Sequence, residues 1–162
     1  MSVREILLWP DPRLSQVCAP AVLDAETRAL AADMLETMYA APGRGLAGPQ
    51  VGAMRRIFVM DATWKEGVKA PFVALNPELT HKSDETCEME EGCLSIPGIT
   101  ATVTRPKTVT LAWTDLDGIR HSRDFDGAEA RIIQHEADHL DGLVHFDRPD
   151  PAQRAELEAQ YP

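Results

Sequence analysis

The residues best placed to do chemistry lie late in the chain, in Gln134-His135-Glu136-Ala137-Asp138-His139-Leu140-Asp141-Gly142. Gly127 to Ile133 read as the first turns of a helix, and on a helix positions i and i+4 stand one above the other, with Cβ atoms about 5–6 Å apart. His135 and His139 can therefore offer two imidazole nitrogens to one metal ion. Glu136 points to the neighbouring flank, where its carboxylate can take a proton from an activated water rather than bind the ion. Five-residue patterns of this kind also arise by chance on solvated acidic helices, so the weight of this one depends on partners elsewhere.

Two histidines leave a catalytic tetrahedral site one protein ligand short, because such a site takes three and keeps a position open. Carboxylates and cysteines are the candidates. In Glu91-Gly92-Cys93-Leu94-Ser95-Ile96-Pro97, Cys93 follows a glycine and precedes a short apolar segment. A thiolate there completes a Cys/His/His set, and Gly92 lets the backbone lie close to the ion. The usual fate of a free cysteine is that of a small buried hydrophobe, which is the reading for Cys18 and Cys87. His81, His121 and His145 default to surface or packing roles.

Several elements must position these residues. Glu5 to Trp9 is a short apolar run stopped by the turn signal Pro10-Asp11-Pro12. Asp24 is an N-cap for a helix in which Leu30, Met34, Leu35, Met38 and Tyr39 recur at three- and four-residue spacing, ending before Pro42-Gly43. Gly43 to Gly52 holds four glycines in ten residues, which excludes a regular helix and suits backbone that approaches something closely. The period then changes. Arg56 to Asp61, Pro71 to Asn76, Thr100 to Val103 and Thr108 to Thr114 read as strands. Asp115-Leu116-Asp117-Gly118 makes a hairpin turn between the last of these and Ile119 to Phe125. Gly127 opens the histidine helix, Gly142 closes it, and Ala152 to Gln160 forms a last short helix. The expected fold class is α+β: mixed or antiparallel sheets packed around the central His-Glu-x-x-His helix, with one N-terminal and one short C-terminal helix, in a single domain over residues 1–162.

With 44% hydrophobic residues among 162, a packed core is expected. A formal net charge of −10 makes the surface a poor general binder of nucleic acid or anionic membrane. No apolar run approaches bilayer length, Met1-Ser2-Val3-Arg4 lacks a signal-peptide core, and an odd three cysteines argue against a disulfide framework. A cytoplasmic protein is expected.

Three motifs together resemble one family, the peptide deformylases: Gly43-Arg44-Gly45-Leu46-Ala47-Gly48-Pro49-Gln50, Glu91 to Ser95, and Gln134 to Leu140. Pro10 to Leu14 and Phe146-Asp147-Arg148 also look like that family, so the likeness runs over nearly the whole chain. The resemblance implies that Cys93, His135 and His139 bind one divalent ion, Fe²⁺ in the cell, with Ni²⁺, Co²⁺ or Zn²⁺ as substitutes. It implies that Glu136 is the proton carrier, that the Gln50 amide and the Leu94 backbone N–H receive the developing oxyanion, and that Gly45 and Gly92 lie against an N-formylated peptide. The implied reaction removes the formyl group of formylmethionine from nascent peptides and releases formate. Glu91 and Asp138 are candidates to orient the ligand imidazoles or to brace the helix against the cysteine loop.

The chain departs from the family at the substrate. Arg44 stands where an aliphatic residue usually lines the first side-chain pocket, and Ala128 where a large apolar one does. These two favour an alternative, a deformylase-like amidase with a different, acidic N-formyl or N-acyl substrate. A non-catalytic binding protein would have no use for Glu136, and a hydrolase with Cys93 as nucleophile would need no metal. Residues 151–162 hold one arginine against two glutamates, unlike the longer basic helix of members that dock on the ribosome, which argues against such docking.

Overall fold

A computed structural model describes residues 2–161. Asp24 caps α1 (Ala25–Ala40) by accepting from the Thr27 N–H, and the helix buries Leu30, Met34 and Met38. The glycine-rich segment then forms β1 (Gly45–Ala47) and a 3₁₀ turn over Gly48–Val51. β2 (Ile57–Met60), β3 (Phe72–Lys82), β4 (Thr86–Cys93), β5 (Ile96–Pro106), β6 (Val109–Thr114) and β7 (Arg120–Phe125) follow. The chain continues into α2 (Gly127–Leu140) and α3 (Pro151–Gln160). Among the described residues, no helix is long and apolar enough to cross a membrane.

Among the described residues, five strands make one antiparallel sheet in the order β1-β2-β3-β6-β7, while β4 and β5 pair only with each other. β2 shows how the layers form. All four of its residues are buried, and the period-2 alternation sends Ile57 and Val59 toward α1, and Phe58 and Met60 toward α2. On that second face Ala130, Ile133 and Leu140 of α2 pack with Leu111, Trp113 and Phe125. The α+β class and the 108–114/119–125 hairpin are as expected.

Three elements differ from the sequence reading. β3 runs on past Asn76 because the ladder to β6 slips between Leu75 and Glu78, a bulge that accommodates Pro77, which has no N–H to donate. β5 begins at Ile96 and ends at Pro106, longer than its apolar centre. β4 has no apolar run at all. It is a strand because β5 pairs with it from Thr86 to Cys93.

Helix α2 ends as expected. Gly142 takes φ 80°, and a Cβ there would meet the Ser15 backbone at 2.8 Å. The helix therefore stops directly against the N-terminal segment, where the Cys18 N–H donates to the Leu140 carbonyl.

Candidate metal centre and cleft

The donor set comes from two elements. On α2, His135 and His139 lie one turn apart with ring centroids separated by 5.0 Å. On β4, Glu91 and Cys93 are both buried two positions apart, so the ribbon turns both inward. Cys93 Sγ lies 3.5 Å from His139 Nε2, and the ligand atoms of Cys93, His135 and His139 all fall within 4.8 Å of one another. Glu91 Oε1 accepts from His135 Nδ1 at 2.9 Å, which places the ring proton on Nδ1 and leaves Nε2 free for an ion. Two imidazoles and a thiol in this spacing, one ring held by a carboxylate, fit a divalent transition metal.

Burial works against a charged His135, but Glu136, Cys93 and Glu91 overcome it and hold its pKa well above the usual value. His139, fully buried, is driven well below its usual value by burial and by His135. Glu136 has one buried oxygen, Oε1, with no hydrogen-bond partner among the described residues. Burial raises its pKa to about 7 against the opposing pull of His135, so the carboxyl can hold or release a proton near neutrality.

Gln50 sits on the 3₁₀ turn with its amide fixed in one orientation. Its Oε1 accepts from the Ala47 N–H at 2.9 Å, while its Nε2 donates to Ser95 Oγ at 3.0 Å and stands 3.7 Å from Cys93 Sγ. The donor end thus faces the Cys93 thiol. Leu94 follows Cys93 in the β4–β5 turn. Strand β1 passes so close to α2 that a Cβ on Gly45 would lie 2.5 Å from Glu136 Oε2. A cleft of about 690 Å³ opens over these groups, lined by Arg44, Gly45, Gly92, Leu94, Ala128 and Glu136, with Gln50, Cys93 and His135 at its base.

Every sequence-predicted site residue therefore gathers at one place. Arg44 lines this cleft, and its Nη2 donates to Glu66 Oε1 at 3.1 Å, with the side chain 40% exposed. The remaining histidines keep their default roles. His121 stacks on Trp113, His81 is exposed, and His145 is buried against Phe146.

The sequence reading missed the arginines. Arg105 donates from Nε and Nη2 to both oxygens of Glu91 (2.5 and 2.8 Å) and from Nη1 to Asp138 at 2.8 Å. Arg131 also reaches Glu91, at 2.7 Å, and Arg148 pairs with Asp138. Burial alone would raise the Glu91 pKa, but Arg105 and His135 hold the carboxyl well below its usual range. Among the described residues Asp138 makes no hydrogen bond to an imidazole; it braces α2 against β5 through Arg105. Single arginines at unrelated positions carry no spacing signal, so only the fold reveals them.

The comparisons with known proteins agree with this geometry. The family model described as polypeptide deformylase matches residues 3–155. The chain belongs to the peptide deformylase family. The peptide deformylase of Afipia carboxidovorans is 48% identical over 148 residues, covering 91% of this chain and 86% of that protein. That of Rhizobium meliloti is 43% identical over the same share of this chain and 85% of its own. Among solved structures, the peptide deformylase of Ehrlichia chaffeensis in complex with actinonin superposes with a TM-score of 0.92 at 36% identity, covering 99% of this chain and 96% of that one. The enzyme from Legionella pneumophila gives 0.91 at 36% identity, covering 98% and 93%. Family and fold make the chain a hydrolase of the peptide deformylase type, and nothing in them supports the alternative of a different N-formyl or N-acyl substrate.

Proposed function

We propose that this chain, as one catalytic domain, removes the formyl group from formylmethionine at the start of nascent peptides, with Cys93, His135 and His139 holding one divalent ion. The observation that carries the reading is the unpartnered Oε1 of Glu136, buried beside the Cys/His/His donor set at the base of an open cleft. A carboxylate with a free oxygen there has a use in hydrolysis and none in simple binding. Fe²⁺ is the expected ion, with Ni²⁺, Co²⁺ or Zn²⁺ able to replace it. When bound, it supplies Lewis acidity that polarises the formyl oxygen and makes water a nucleophile at neutral pH.

The chain's own groups account for the remaining steps. Strand β1 is an edge strand, pairing only with β2 among the described residues. The Ala47 N–H points off that edge to Gln50 Oε1; by alternation the Gly45 peptide groups face the same way, open to an added peptide strand. Glu136 takes a proton from water as its oxygen attacks the formyl carbon. The Gln50 Nε2 and the Leu94 N–H donate to the oxygen that gains charge. The carbon–nitrogen bond breaks, Glu136 gives its proton to the departing amine, and formate and a free N-terminus result.

Nascent peptides place the enzyme in the cytoplasm. Ribosome docking through α3 is not part of this reading, since its one arginine, Arg154, is already paired with Asp147 and Glu158. Direct binding of nucleic acid or membrane is not part of it either, given the net charge of −10. The test is formate release under anaerobic conditions, with Fe²⁺ or Ni²⁺ added, across a panel of formylated dipeptides. Formyl-Met peptides should give the highest kcat/KM. A panel with no formate released from any member would refute the proposal.

A further inference from the structure

We propose that Arg131 is a positioning residue of the metal centre: it locks the β4–β5 ribbon, which carries Cys93, onto α2, which carries His135 and His139. The inference rests on reading those three residues as the ligands of one ion.

The need for such a lock follows from the topology. The ribbon is a separate two-stranded sheet, whereas α2 packs on the five-stranded sheet through Ala130, Ile133 and Leu140. Among the described residues, the hydrogen bonds between α2 and the ribbon all run through side chains. The spacing of the thiol from the two imidazoles is therefore set by side chains that cross this seam.

Arg131 crosses it at three points with one guanidinium. Nη1 donates to Glu91 Oε2 at 2.7 Å and to the Val103 carbonyl at 2.8 Å, and Nη2 donates to the Cys87 carbonyl at 2.9 Å. Two strands are thereby tied to one helical position, a task that suits a rigid planar fork and that a lysine ammonium cannot reproduce. Arg131 also lies one helical turn before His135, and the two share Glu91: Arg131 holds Oε2 while Oε1 faces His135 Nδ1. Arg105 holds the same carboxylate from β5, so loss of Arg131 leaves Glu91 neutralised. What is lost is the tie at Cys87 and Val103. The expected consequence is a looser metal site in a folded protein.

The test is titration of metal-free protein with Co²⁺, following the thiolate-to-cobalt charge-transfer absorption that reports Cys93 joining the ion, with Kd obtained by competition against a chelator. Arg131→Met should bind Co²⁺ about tenfold more weakly, at the lower end of what residues supporting metal ligands contribute. Its charge-transfer band should also be altered. Arg131→Lys, which can reach one of the two carbonyls but not both, should recover part of the affinity. A folded Arg131→Met with parental Kd and band, only its Tm lowered, would overturn the proposal. Should Arg131→Met not fold, Arg131→Gln replaces it, judged by the same two outcomes. If neither folds, the residue is structural and the proposal fails. A parent protein that binds no Co²⁺ would defeat the metal reading itself, a different result from parental binding in the variants.

Discussion

Glu91 and His135 meet at 2.9 Å, carboxylate oxygen to Nδ1, so a residue two places before Cys93 fixes the ring of His135. The same carboxylate accepts from Arg105 and Arg131, and all three side chains at this point are nine-tenths buried or more. Glu91→Gln removes the charge that both arginines neutralise. Breaking a buried pair from one side costs about 3–5 kcal/mol, and denaturant unfolding should show a loss of that order. A loss under 1 kcal/mol would mean that the arginines find other partners.

Glu136→Gln keeps the size of the side chain and removes its ability to accept a proton. The ion should stay bound, as the residue lies outside the Cys/His/His set, while kcat falls about 10²–10⁴-fold. Near-parental turnover with the ion in place would rule out Glu136 as the base.

Gly45→Ala tests the close approach of β1 to α2. The added methyl would lie 2.5 Å from Glu136 Oε2 and 2.9 Å from Ile132 Cγ2, so the carboxylate must move. Displacements near 1 Å at a reacting group cost up to about 10²-fold in rate. The expected result is a lower kcat with unchanged metal content, and an unaltered kcat would show that the strand yields instead.

Arg44 has two readings by residue type, a charge facing the substrate or an apolar stem with its charge turned to solvent. The guanidinium pairs outward with Glu66. Its stem then serves as an apolar wall. Arg44→Ile should shift the preference between formyl-Met and formyl-Glu peptides by less than about threefold, an exposed pair such as Arg44–Glu66 being worth little. A large gain for formyl-Met at the expense of formyl-Glu would restore the acidic-substrate alternative.

The candidate site residues were legible by two routes, a helical spacing for the histidines and the family resemblance for Gln50 and Leu94. His135 and His139 stand at i and i+4, and Cys93 and Gln50 lie in motifs that keep register with them. Helix α1 and the β6–β7 hairpin were legible for a similar reason, since the first has helical periodicity and a capping Asp24 and the second a Gly118 turn. β4 was not. Its sequence, Thr-Cys-Glu-Met-Glu-Glu-Gly-Cys, has three glutamates and no aliphatic alternation, and it is a strand only because β5 supplies the partner. The arginines were hidden for a related reason. Arg105 alternates with Val103 and Ala101 on the buried face of β5, and Arg131 lies on the side of α2 that meets the ribbon. Each reads as surface charge until the layers are assembled around Glu91.

The central claim, that Cys93, His135 and His139 hold the ion on which hydrolysis depends, is tested most directly by measuring metal content and formate release on the same sample before and after chelation. About one divalent ion per chain is expected. Exhaustive chelation should remove the ion and the activity together, and Fe²⁺ or Ni²⁺ should restore both. Cys93→Ala and His139→Ala should recover neither. Undiminished formate release from protein verified to be metal-free would contradict the account and point instead to Cys93 as a nucleophile.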